Sequence, residues 1–165
     1  MIRIIKKENF GKYKMEKINI IGKKDERKIN PNWFTNKTWM KVLSKKIKLK
    51  EQDMYHVHFE NGSRTKLHSH DGNQVLIAIK GKGSLEIFKK YGTSKTNFKI
   101  KKIEKIILNK GDVIHIPAQT LHTHGSINRK EEFSHIAINI FAKKNASYKT
   151  IWYESDFKTK VSEII

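Results

Sequence analysis

The chain has 165 residues and a mass of 19.4 kDa, room for one ordinary domain with one core. Hydrophobic residues make up 37% and aromatic residues 10%, which excludes pervasive disorder despite 31% charged residues. The absence of Cys excludes disulfide scaffolds, cysteine-ligated zinc, iron–sulfur centres and thiol nucleophiles, and no apolar run reaches the roughly 18 to 20 residues of a membrane span.

In chain order, residues 1–31 form a basic extension with two Ile-rich runs, Ile2–Ile5 and Ile18–Ile21, which are candidate edge strands. The first residues lack the apolar stretch and small-residue cleavage site of a signal peptide, so a cytoplasmic location is expected. Tyr55-His56-Val57-His58-Phe59 alternates strictly, which predicts a strand with Tyr55, Val57 and Phe59 inward and His56 and His58 outward. Gln74–Ile79 is a nearly continuous apolar strand, read as closing at Gly81-Lys82-Gly83, with Ser84–Phe88 starting a return strand. Residues 89–105 are polar and basic and read as a long exposed hairpin tip. Val113–Ile116 and His135–Phe141 are further strands, and His115, with the parity of Val113, is assigned to packing. Asp156–Ile165 can form a short helix. Many short strands separated by Gly-containing turns predict an all-β sandwich or barrel.

Thirty-five Lys and Arg against 16 Asp and Glu give a formal charge of +19. A nucleic-acid surface would normally use Arg for phosphate and base edges. Only Arg3, Arg27, Arg64 and Arg129 are Arg, however, and the lysines are scattered through the whole length among many Ile and Asn. The expectation is a solvated basic surface with no dedicated nucleic-acid site and no membrane partner.

The histidines carry the functional signal. His68/His70 and His122/His124 stand in His-x-His spacing beside apolar strands, and on a strand positions i and i+2 project to one side. Gln74 keeps the parity of the first pair. His135 follows the second pair after a polar loop, so pairing as a hairpin would bring it beside His124. Several neutral imidazoles and an amide oxygen converging in an apolar barrel suit a first-row divalent metal.

The spacing Gly62-x5-His68-x-His70-x3-Gln74-x6-Gly81 resembles the first cupin motif, with Gln74 where Glu is usual. Gly111-x5-Pro117-x4-His122 resembles the second, with Gln119 where Gly is typical and Ser126 where Asn ends the pattern. Asn32-Trp33-Phe34-Thr35, Arg64-Thr65-x-Leu67, His122-x-His124-Gly125, Ser134–Ile138 and Trp152-x-Glu154-x-Asp156 are similar to the small single-domain bacterial cupins associated with carboxymuconolactone decarboxylases, which include manganese-dependent hydroxynitrile lyases. Leu67 stands where that group commonly has Trp.

This resemblance implies an all-β cupin fold, a double-stranded β-helix or jelly-roll barrel. It spans residues 32–157, between the extension 1–31 and a tail 158–165. It implies His68, His70, Gln74 and His122 as metal ligands, with manganese the first choice and iron, nickel or zinc as alternatives. His124 and His135 fall in the active site as the acid/base pair. By strand parity, Tyr55 and Val57 shape the wall of the substrate pocket, and Asn139, on the face of His135 and Ala137, either lines that pocket or makes a core hydrogen bond. The implied activity is lyase-type cleavage of a C–C bond in a small polar organic substrate. A non-haem iron dioxygenase and a non-catalytic metal- or small-ligand-binding module are the alternatives. A homo-oligomer, dimer or tetramer, is expected.

Overall fold

A computed structural model describes residues 15–20, 29–143, 147–154 and 159–164 of the chain. Its organising element is one long strand, β4 (Gln74–Tyr91), which runs through two sheets in succession. In the first sheet, residues 74–81 of β4 lie between β6 (Val113–Ile116) and β8 (Phe133–Ile140). Beyond β8 follow β2 (Gln52–Phe59) and β1 (Thr38–Val42). In the second sheet, residues 82–91 of β4 lie between β5 (Asn97–Asn109) and β7 (Leu121–Ser126). β3 (His68–His70) and β9 (Thr150–Trp152) continue that sheet beyond β7, and β10 (Lys160–Glu163) adds in parallel to β5. All the other pairings are antiparallel, and the curled sheet closes around one interior, as the all-β jelly-roll expectation requires. The helical content among the described residues is one 3-10 turn, Pro31–Trp33, started by the Asn30 side chain accepting the Asn32 amide at 3.0 Å.

The alternation in β2 behaves as read. Val57 and Phe59 are buried, whereas His56 and His58 sit on the outer face, where His58 Nδ1 meets Ser134 Oγ at 2.6 Å. Phe59 and Phe133, both fully buried, stack at 6.1 Å between ring centres and anchor the main core with Leu76, Leu85, Leu108 and Ile116. Burying each such side chain contributes about 1.5–3 kcal/mol.

Four sequence expectations are corrected. Gly81-Lys82-Gly83 does not turn the chain back, because Ser84–Phe88 continues β4 and the return strand is β5. The glycines are needed where the strand bends from one sheet into the other. Gly81 has φ 69°, and a Cβ there would collide with the Glu132 carbonyl oxygen. A Cβ on Gly83 would lie 2.7 Å from both the Gly125 carbonyl oxygen and the Phe133 ring. The 89–105 segment is not one exposed tip, since β4 and β5 pair through it and Phe98 and Ile100 are buried with Leu67, Phe88 and Leu121 in a second cluster. His115 is exposed on the outer face of β6 instead of packing. The C-terminal residues Lys160–Glu163 form a strand, not a helix, held by pairing with residues 97–100.

Residues 15–20 carry no strand, although Lys41 Nζ donates to the Asn19 carbonyl at 2.8 Å. The expected Ile2–Ile5 strand and residues 156–158 and 165 of the expected helix lie outside the described residues.

The crossover generates a stability prediction. Gly81→Ala combines an unfavourable backbone conformation with a collision against backbone, and is expected to cost more than about 2 kcal/mol in denaturant unfolding. Gly92→Ala, with nothing within 4 Å of the added Cβ, meets only the φ penalty and should cost about 1 kcal/mol. Equal losses would show that the close approach at the crossover is not limiting.

Candidate metal centre

The two sheets face each other, and the inward positions of three strands bring five imidazoles together. β3 supplies His68 and His70, β7 supplies His122 and His124, and β8 supplies His135 from the opposite wall. His68 and His122 are direct cross-strand partners with ring centres 4.2 Å apart. His70 lies 4.9 Å from His68 and 5.3 Å from His122, and His124 lies 5.4 Å from His68. His124 Nδ1 and His135 Nε2 are 3.2 Å apart. The route by which His135 arrives differs from the hairpin expected, because β7 and β8 belong to different sheets and β8 pairs with β2 and β4. The contact is made across the barrel interior.

Three of the rings are oriented by their outer nitrogen. His68 Nδ1 donates to the Lys66 carbonyl and His122 Nδ1 to the Thr120 carbonyl, both at 2.8 Å and both two residues upstream. A carbonyl partner fixes the tautomer, so Nε2 of each carries the lone pair. His70 Nδ1 is tied to Thr150 Oγ1 at 3.0 Å. Inside, His70 Nε2, His122 Nε2 and Gln74 Oε1 are buried with no hydrogen-bond partner. His135 Nδ1 is likewise buried and unpaired. Buried polar atoms are nearly always paired, so a group of unpaired atoms among these side chains calls for a partner. The donor set of neutral imidazoles and an amide oxygen fits a first-row divalent cation. Nitrogens of His68, His122 and His124 also lie within 4.8 Å of one another, so three His can hold an ion here.

Burial dominates the electrostatics. It pushes His70 down to about 3, His122 to about 4 and His135 to about 3, and holds His68 and His124 well below the ordinary imidazole value. Neighbouring histidines push His68, His70, His124 and His135 further in the same direction. All five are therefore neutral at pH 7, which is the form a metal requires.

A cavity of about 280 Å³ opens beside the imidazoles. Tyr55, Val57 and Asn139 line it, as do Asp53, Tyr148 and Trp152. The Trp152 indole stacks between Trp33, at 5.1 Å, and His68, at 4.5 Å, and the Tyr148 ring lies 4.9 Å from His70. Phe59 supports His124 and His135 from the core side at 5.9 and 5.5 Å.

The sequence matches the cupin family over residues 23–161. The chain belongs to the cupin family. A cupin-like protein from Thermotoga maritima is 28% identical, with a TM-score of 0.59 over 86% of this chain and 98% of that one. Oxalate decarboxylase (20% identity, TM-score 0.52) and the vicilin of Solanum melongena (15%, 0.52) share the fold. This chain covers 72% and 70% of its own length in those two alignments, but only 28% and 30% of theirs. No curated protein matches the sequence.

In this cupin two of the motif departures have a visible setting. Gln119, where the family has Gly, adopts φ 65°, and its amide donates to the His70 carbonyl at 2.8 Å, so the turn after β6 braces a histidine strand. Gln74, in place of Glu, donates through Nε2 to Asn139 Oδ1 at 2.9 Å. Sequence reasoning missed Asp53, which shares the inward parity of Tyr55 and Val57 two residues upstream, and Tyr148 and Thr150, which no periodicity marks.

Because the folded values are lowered, protons bind the unfolded chain first. The stability held by the neutral imidazoles is complete above about pH 6.5 and is lost as pH falls toward 3 to 4. Within that window each imidazole kept neutral costs about 1.4 kcal/mol per pH unit. The metal-free cupin is expected to show a Tm that falls steadily between about pH 6.5 and pH 4, measured by scanning calorimetry. A Tm that stays flat to pH 4 would mean that these rings are not buried in their neutral form.

Proposed function

We propose that this cupin is a divalent-metal lyase that cleaves a C–C bond next to a hydroxyl group in a small polar organic substrate, as in cyanohydrin breakdown. The observation that supports the reading is the set of buried, unpaired atoms, His70 Nε2, His122 Nε2 and Gln74 Oε1, in the barrel interior that also holds the His124–His135 pair. His68, His70, Gln74 and His122 would hold the ion. The proposed ion is manganese, on the resemblance to the manganese-dependent hydroxynitrile lyases, and the same donor set accepts iron, nickel or zinc. A bound divalent ion supplies Lewis acidity that lowers the pKa of a substrate hydroxyl, undiminished by any anionic ligand.

The protein's own part is proton movement. His124 lines the cavity and turns Nδ1 toward His135 Nε2. When His124 Nδ1 carries the proton, its Nε2 offers a lone pair to the substrate hydroxyl. As that proton arrives, the Nδ1 proton passes to His135. The hydroxyl oxygen then becomes a carbonyl oxygen, and the electron pair of the cleaved bond leaves with the departing carbon. Return of the proton from His135 through His124 protonates that carbon and restores both rings. Tyr55 and Val57 shape one wall and the Trp33–Trp152 stack the other, excluding water from the transfer. The dimer or tetramer expected from the sequence belongs to the same proposal.

Metal content and mandelonitrile cleavage test this reading together. His70→Ala and His122→Ala are expected to lose most of the metal. His124→Ala and His135→Ala should keep it and lose roughly a hundredfold or more in kcat, while His56→Ala, on the outer face, changes neither. Loss of metal in His124→Ala with retention in His70→Ala would instead assign the site to His68, His122 and His124. Oxygen uptake by the iron form without cyanohydrin cleavage would overturn the lyase.

A further inference from the structure

Gln74 presents a problem that a Glu in its place would not. A carboxylate offers oxygen at both terminal positions, but a primary amide has one oxygen and one NH2 of nearly the same shape. Turned the wrong way, Gln74 would donate a hydrogen into the imidazole lone pairs that face it and occupy a nitrogen meant for the ion. Something outside the ligand set must decide which way the amide points.

The row of side chains across the first sheet supplies that decision. Asn139 on β8 is the direct cross-strand partner of Gln74 on β4 and, on its other side, of Asp53 on β2. All three line the cavity. Asn139 Oδ1 accepts from Gln74 Nε2 at 2.9 Å, which leaves Gln74 Oε1 buried and unpaired on a cavity that His68, His70 and His124 also line. With its Oδ1 engaged by Gln74, Asn139 is left with its NH2 to donate elsewhere, and Asp53 is its cross-strand neighbour on the other side. The Asp53 carboxylate, which accepts from Ser44 Oγ at 3.4 Å, has only acceptors to offer. Direct cross-strand neighbours stand about 4.5–5.5 Å apart at Cβ, within reach of such a bond.

We propose that Asn139 and Asp53 are positioning residues that lock the Gln74 amide with its oxygen toward the histidines and so make Gln74 a metal ligand. An acceptor-only carboxylate at one end gives the row its polarity, and each amide passes that polarity on. Donation from Gln74 Nε2 also strengthens the partial negative charge on Oε1. The negative charge that a Glu ligand would place on the metal is held two side chains away instead. The inference rests on the proposed ligand set, in which Gln74 is one member.

The test is metal affinity, read by competition with a chromogenic chelator using manganese and cobalt, with the cobalt absorption spectrum as a second readout. Asn139→Leu removes the acceptor and is expected to weaken binding roughly 10- to 100-fold, the range for residues that orient a ligand. Asn139→Asp keeps an acceptor toward Gln74 Nε2 and should stay within about threefold of the parent protein. Asp53→Asn loses the fixed polarity and should fall between the two. The deciding measurement is Asn139→Leu in a Gln74→Glu background, where both terminal atoms are oxygens and no orientation needs choosing. There its effect should shrink to about threefold or less. An equal loss in both backgrounds would overturn the proposal, since packing damage does not depend on amide orientation, and so would a parent protein that binds metal and an Asn139→Leu variant that binds it equally well. A parent protein that binds no metal would overturn the metal-enzyme reading itself, and this inference with it.

Discussion

The bend in β4 is the constraint on which the rest of the molecule depends. One strand serves two sheets, so the inward face of the first must look onto the inward face of the second. Gln74 and Ala78 lie on the first half and Leu85 on the second, and each sets the register of a neighbour. Gln74 pairs with Asn139, Ala78 with His135 and Leu85 with His124. A strand that turned back at Gly81 would have left His124 and His135 on unrelated surfaces. Glycine is needed there because the crossing strand passes against the Glu132 backbone and the Phe133 ring with no room for a Cβ.

Closing the barrel has an electrostatic consequence. Five imidazoles are withdrawn from water, and burial strips them of charge in every case. Hydrogen bonding on the outer nitrogens offsets part of that cost and fixes which nitrogen faces inward. What remains unpaired lies on the inside, at His70, His122, His135 and Gln74. Unpaired atoms scattered through a core would be defects, whereas beside three histidines whose nitrogens lie within 4.8 Å of one another they mark a place that can hold a cation. The same burial that destabilises the metal-free barrel in acid therefore prepares it for an ion at neutral pH.

The sequence made part of this legible for a definite reason. His-x-His on a strand forces two rings to one side, so the pairs at 68/70 and 122/124 and the inward parity of Tyr55 and Val57 could be read without knowing the path of the chain. Their outward counterparts His56 and His58 followed from the same rule. Whatever depended on that path was not legible. Glycine looks alike in a turn and in a bent continuous strand, so Gly81-Lys82-Gly83 read as an ending. Adjacent strands are ordinarily expected to pair, so β7 and β8 read as a hairpin although they face each other across the interior. Phe98 and Ile100 are embedded among lysines that alternate with them, which hid two buried positions in a segment that looked solvated. Asp53 sat one step beyond the alternation that placed Tyr55.

The distribution of charge completes the argument. The chain carries a formal charge of +19, yet no Lys or Arg is among the described residues lining the cavity, and Asp53 is the carboxylate among them. A lysine ammonium within reach of the imidazoles would compete for the lone pairs that the ion needs and would oppose the ion's charge at close range. Arg64, a half-buried basic side chain whose charge reaches His124, is instead occupied by Ser84, Thr123 and the Ser126 carbonyl and paired with Glu86. Basic residues are thus abundant wherever water can solvate them and absent from the described wall where a cation would bind. The proposed neutral ligands would leave such a cation its full charge, and the aromatic walls of Trp33, Trp152 and Tyr148 lower the surrounding dielectric, so that charge would be felt by whatever oxygen enters the cavity.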